Sequence, residues 1–178
     1  ATIPISPAER VVVIAGNHDL CFEKTPEEAR AILDRYRITY LEDAGAEVLG
    51  YKIWGSPWSL ECGYWAFMGD EAALAEKYAM IPDDIDILIA HGPPKGIGDR
   101  VWSGESVGSV ALADAIARVK PRLTVHGHIH EDIGVRRHPH GGLCVNASCG
   151  IFRASRLDPR KLQRGAPVQL KEGWEESR

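Results

Sequence analysis

An α/β fold is predicted by three features: short apolar runs of strand length, helical segments between them, and polar residues delivered repeatedly where those runs end. Val11 to Ala15 is a β-branched run closed by Gly16, as expected for a strand covered on both faces that ends in a tight turn. Asn17, His18 and Asp19 follow at its C-terminal end. Thr25-Pro26-Glu27-Glu28 opens a helix with a cap residue, proline at the first helical position and an acidic first turn. Ala29, Ile32, Leu33 and Tyr36 then recur at helical spacing.

Ala46 to Trp54 reads as two short strands meeting at Gly50-Tyr51 and interrupted by Gly55-Ser56-Pro57, ahead of an irregular aromatic loop from Trp58 to Phe67. Asp70 to Tyr78 is helical by its Ala, Leu and Glu content, and Ile85 to Ala90 is a buried strand that delivers His91. Gly92 to Gly108 is a loop rich in Gly and Pro. Ser109 to Val119 is a helix stopped before Pro121. Leu123-Thr124-Val125 is the next strand, and it runs into the densest histidine cluster of the chain, His126-Gly127-His128-Ile129-His130. Gly134-Val135 and Leu143 to Val145 are two more strands across the His138-to-Gly142 turn, and Val168 to Leu170 is an edge strand. No repeat and no linker divides the sequence, so residues 1–178 are expected to form one domain.

The net charge of −4 offers no basic field for a nucleic acid, which leaves a small phosphorylated molecule as the favoured ligand. Cys21, Cys62, Cys144 and Cys149 are scattered without a paired spacing, as reduced thiols of a cytoplasmic protein would be. No apolar run approaches the ~20 residues that span a bilayer, and ATIPISPAER lacks the order of a secretory signal, so no membrane association is expected. The chain starts with Ala and reaches a buried-type strand at once, which suggests a fragment.

Strand ends converge on one crevice in α/β folds, so Asn17-His18-Asp19, His91 and His126 to His130 can meet although they are far apart in sequence. Imidazole nitrogens plus an amide oxygen suit manganese, iron or zinc, and offer too few hard oxygens for calcium. Each piece alone is weak, since a single histidine at a strand end is more often structural than a ligand. G-N-H-D, then H-G-P-P, then G-H-I-H, each after an apolar strand, is improbable by accident.

With these motifs the sequence resembles the calcineurin-like metallophosphoesterase superfamily. Gly16-Asn17-His18-Asp19, His91 and Gly127-His128-Ile129-His130 correspond to the last three of its motifs. The stretches Ile53 to Trp58, Trp65-Ala66-Phe67, HGPPKGIGDR, GHIHE and Val145 to Ser148 are similar to the metallophosphoesterase-domain-containing branch and its bacterial relatives. The resemblance implies a four-layer αββα sandwich, of which this chain would be the C-terminal portion, and two divalent metal ions in a complete member. It implies that Asn17, His91 and His128 bind the second metal and His130 the first. His18 would face the phosphoryl group as a stabiliser or general acid, with Asp19 as its partner. The implied reaction is hydrolysis of a small phosphate ester, a cyclic nucleotide among the options, by attack of a metal-bound hydroxide.

The family's D-x-H and G-D motifs precede G-N-H-D, and the fifteen residues before Gly16 contain neither Asp nor His. Three readings therefore stand: a phosphodiesterase or phosphatase, a non-catalytic remnant that binds a metal or partner, and one half of an enzyme completed by association with a missing N-terminal segment or by self-association. Asp70 and Asp99 read as capping and loop residues, and Asp83, Asp84 and Asp86 as the solvated lead-in to a strand. His138 and His140 are expected to be exposed at their turn. His126 is ambiguous, because Gly127 can break the strand alternation that would align it with His128. Trp58, Trp65 and Trp102 could stack on a nucleobase or form a hydrophobic cluster.

Overall fold

A computed structural model describes residues 10–148. Its elements in order are β1 (Val11–Val13), α1 (Cys21–Lys24), α2 (Pro26–Arg35), β2 (Ile38–Tyr40), β3 (Ala44–Val48), β4 (Tyr51–Ser56), β5 (Ser59–Leu60) and β6 (Met68–Gly69). These are followed by α3 (Glu71–Ala79), β7 (Ile87–Ala90), α4 (Val110–Val119), β8 (Leu123–His126), β9 (Gly134–Arg137) and β10 (Leu143–Asn146). The expected strand from Val168 to Leu170 lies outside the described residues.

Six strands form a mixed sheet in the order β3-β4-β7-β8-β10-β9. The four central strands, β4, β7, β8 and β10, are parallel, and each edge is closed by an antiparallel partner. The β3–β4 hairpin turns on Leu49 and Gly50, both at positive φ (53° and 80°), the conformation that a two-residue turn needs to match strand twist. The expected interruption at Gly55-Ser56 does not occur, because β4 runs through both residues. Gly55 is used for close approach: a Cβ there would lie 2.4 Å from Leu41 Cβ and 2.7 Å from Ile14 Cγ2. The segments that follow β1 and β2 thus close on the large sheet at a residue of β4 without a side chain.

Both longer C-terminal helices pack on one face of the sheet. Trp54, Leu88 and Ala90 from the strands meet Leu74 and Tyr78 of α3 and Leu112, Ile116 and Val119 of α4. Leu74, Leu88 and Leu112 are fully buried, each worth roughly 1.5–3 kcal/mol. Asp70 caps α3, accepting from Ala73 N–H at 2.8 Å, as the sequence predicts. Ser109 caps α4, and the Glu71 carboxylate adds a second cap, accepting from Ser109 Oγ and from the N–H groups of Val110 and Ala111. At the other end of α4 Lys120 takes the left-handed conformation (φ 53°) and Pro121 follows it.

The parallel strands all end at one edge, and their exits are stitched together. His91 N–H donates to Ser56 O at 3.1 Å and Gly127 N–H donates to His91 O at 3.0 Å. Among the described residues no helix is long and apolar enough to cross a membrane.

Candidate metal and phosphate site

Gly16 follows β1 with no side chain because the His91 imidazole lies against it: a Cβ there would sit 2.5 Å from His91 Cε1. The chain then turns, with Asp19 Oδ2 accepting from Gly16 N–H at 2.8 Å and Asp19 N–H returning to Gly16 O at 3.0 Å. This turn brings Asn17, 5 % exposed, over the end of β7. Asn17 Oδ1 lies 2.8 Å from His91 Nε2, and His91 Nε2 lies 3.2 Å from His128 Nδ1. His128 reaches this point because it has positive φ (66°), which breaks the alternation that β8 would otherwise impose.

Three donor atoms, an amide oxygen and two imidazole nitrogens, therefore converge. Donors bound side by side on one ion at ~2.0–2.2 Å lie about 3 Å apart, and the two separations found match that spacing. Burial, and after it the neighbouring imidazoles of His128, His18 and His130, push the His91 pKa down to about 3. Burial lowers His128 as well, helped by His130 and His18 and opposed by Glu131. Both rings are thus held neutral, the form that binds a metal. Among the described residues no three His, Cys, Asp or Glu side chains are gathered as a metal cluster, and the third atom at this point is the Asn17 amide oxygen.

Asn17, His91 and His128 line a cavity of about 320 Å³, and His18 and His130 complete its histidine wall. The His18 ring meets Trp65 edge-on, with centroids 4.5 Å apart. The Asp19 carboxylate accepts from the Gly16 N–H, so Asp19 shapes the turn that presents His18.

Two lining residues, Glu131 and Trp102, were not picked out as site residues by the motifs. Glu131 directly follows His130 in GHIHE, and this adjacency was the only signal. Cys62, from the aromatic loop, places its sulfur 4.0 Å from His128 Nε2, the ring nitrogen turned away from the donor cluster.

The remaining candidates lie elsewhere. His126 is buried with both ring nitrogens unpartnered, its ring against Gly98 and Asn146, and burial drives its pKa to about 4. The expectation for His138 and His140 is overturned. His138 is 4 % exposed, with Nε2 3.2 Å from Thr124 Oγ1, and His140 stacks on it while its Nε2 meets Pro121 O at 3.0 Å. The turn folds back over the start of β8, so its polar tips find partners in the protein instead of water. Asp99 is also buried, accepting from Gly96 N–H, Gly108 N–H and Ser106 Oγ. Asp83, Asp84 and Asp86 pair with Arg118, Lys52 and Arg122 at the far end of β7 from His91. Trp58 is tied inward by Asp43 at 2.8 Å. Cys21, Cys62 and Cys144 are free thiols; Cys149 lies outside the described residues.

The profile of the calcineurin-like phosphoesterase family matches residues 3–132. The chain belongs to that family. It is 38 % identical over 153 residues to human metallophosphoesterase domain-containing protein 1, a match covering 72 % of this chain and 47 % of that protein. It is 34 % identical over 177 residues to UPF0046 protein C25E10.12 of Caenorhabditis elegans, covering 89 % and 63 %. The chain spans about half the length of the human relative. A solved structure, that of TT1561 from Thermus thermophilus, superposes with a TM-score of 0.54 at 16 % identity, covering 77 % of this chain and 62 % of that one. Another reaches 0.62 at 18 % identity, with coverage of 77 % and 56 %. The fold is the mixed α/β arrangement of the metallophosphoesterases, and the family uses divalent metals.

Proposed function

We propose that this chain carries the metal- and phosphate-facing histidines of a hydrolase for small phosphate esters. The observation that carries the proposal is the convergence of Asn17 Oδ1, His91 Nε2 and His128 Nδ1 beside His18 and His130 in one cavity. The three converging atoms would hold one divalent ion, manganese, iron or zinc, and His130 would contribute to a second. Bound ions of this kind lower the pKa of water and neutralise charge on a phosphoryl group.

The chain's own groups do the rest. His18, on the cavity wall, donates a proton or hydrogen bond to the phosphoryl or leaving oxygen, and the Asp19 turn holds it there. Trp65, packed against the ring, limits its rotation. Neutral His91 and His128 keep their lone pairs for the ion, and cyclic nucleotides fall within the ester class that a cavity of this size admits.

The test is hydrolysis of bis(p-nitrophenyl) phosphate at saturating manganese by the chain supplied with a segment bearing the family's D-x-H and G-D carboxylates, and by its His91→Ala variant. Metal-dependent turnover lost in the variant is expected. Metal bound without any turnover would instead establish a non-catalytic metal-binding protein, a reading that the wholly neutral donor set favours.

A further inference from the structure

The Trp102 side chain is 70 % exposed, yet the loop carrying it is held by several hydrogen bonds. Residues 99–107 form a small hairpin. Val107 N–H donates to Asp99 O at 3.0 Å, Arg100 bridges Ser106, and Val101 N–H donates to Glu105 O at 3.0 Å. Gly104 N–H closes the tip onto Val101 O at 2.8 Å, and Gly104 takes the positive φ (85°) that follows such a turn. Trp102 therefore occupies the tip.

Buried Asp99 locks the base of the hairpin by accepting three hydrogen bonds. Two further ties fix it against the histidine loop. Asn146 Nδ2 donates to both Gly98 O (3.0 Å) and Ile129 O (2.7 Å), and Arg100 N–H donates to Asp132 Oδ2 (3.1 Å). The hairpin is thus tied to the loop of His128 and His130, and Trp102 at its tip lines the same cavity. Among the described residues it makes no ring contact and no side-chain hydrogen bond.

An unpartnered aromatic face on a tied loop beside a phosphate-facing site favours one kind of contact, with a second planar ring. We infer that Trp102 is the platform on which the aromatic group of a phosphate ester lies, so that the site selects aryl or nucleoside esters over those of plain alcohols or sugars. The inference rests on the phosphoester reading of the cavity and adds the residue that sets its preference.

Titration calorimetry of the full chain at high manganese, with adenosine 5′-monophosphate, phenyl phosphate and ribose 5-phosphate as probes, tests it. The two aromatic probes are expected to bind more tightly than ribose 5-phosphate. Trp102→Ala should weaken an aromatic probe by about tenfold, the order of one base–aromatic stack, and leave ribose 5-phosphate within about twofold. Trp102→Phe should keep most of the affinity. A loss confined to the nucleotide assigns the platform to a nucleobase, and a loss shared by phenyl phosphate assigns it to any aryl ring. Equal binding of all three probes by the parent chain, or an equal loss for all three in Trp102→Ala, overturns the inference while leaving the phosphoester reading intact. Binding of none overturns both.

Discussion

His18 and Asn17 are neighbours in sequence, but their surroundings differ. Asn17 is buried with its oxygen 2.8 Å from a ring nitrogen, whereas His18 stands on the cavity wall against Trp65. Asn17→Ala and His128→Ala are each expected to weaken metal affinity at least tenfold, because each removes a donor atom. In the chain supplied with the family's D-x-H and G-D segment, His18→Ala is expected to leave metal content unchanged and lower kcat by about 10²–10⁴-fold, the usual share of a proton donor. Metal analysis after dialysis and steady-state kinetics on the same samples separate the two, and equal metal loss in His18→Ala would make it a ligand. These residues were legible in the sequence because each sits immediately after an apolar strand, where position along the chain fixes position in space. Trp102 was visible only as one of three tryptophans that could stack on a nucleobase or form a hydrophobic cluster, with nothing to choose between these. Its placement depends on Asp99, Asn146 and Asp132, whose bonds cross up to 48 residues.

At the scale of elements, the longer strands and helices followed local signals, whereas the short α1, β2, β5 and β6 were not read from the sequence, and the misreadings arose where tertiary contact decides. Gly55 looked like a break but is the seat of Ile14 and Leu41, and the β9–β10 turn looked solvated but folds over Thr124 and Pro121. That second misreading has a measurable consequence. Burial, and then the adjacent His140, lower the His138 pKa to about 4, below the ~6.5 of an unfolded histidine. Between these values the unfolded chain binds the extra proton, so the stability contributed by neutral His138 is complete above about pH 6.5 and is lost as pH falls toward 4. At pH 5 the loss is about 2 kcal/mol. His138→Gln, which can keep a hydrogen bond to Thr124, should remove about that much of the difference between the unfolding free energies obtained from urea titrations at pH 7.5 and pH 5. An unchanged acid loss would mean that His138 is protonated in the folded state. His91 and His126 are depressed in the same direction, so the variant retains some acid sensitivity.

For the molecule as a whole the deciding quantity is charge. Three neutral donors leave a divalent ion uncompensated in a partly buried site, and a second ion about 3.5–4 Å away needs an anionic bridge to hold the pair together. Among the described residues the buried carboxylate of Asp99 is committed to its hairpin, and Asp83, Asp84 and Asp86 to cations at the opposite end of β7. Glu131 lines the cavity, but the charge it supplies is one. Residues 1–178 by themselves are therefore expected to hold at most one manganese ion, weakly, and to hydrolyse bis(p-nitrophenyl) phosphate slowly or not at all. Supplying in the same chain, or from a partner, a segment bearing the D-x-H and G-D carboxylates of the family should raise the stoichiometry to two and restore turnover, because those groups neutralise and bridge the ions. Metal stoichiometry and hydrolysis, measured on both forms at one manganese concentration, decide the matter. Two tightly bound ions and full activity in the short chain would mean that the bridge comes from within it, and Glu131→Gln, which removes the charge with little change in shape, would then be the first variant to make.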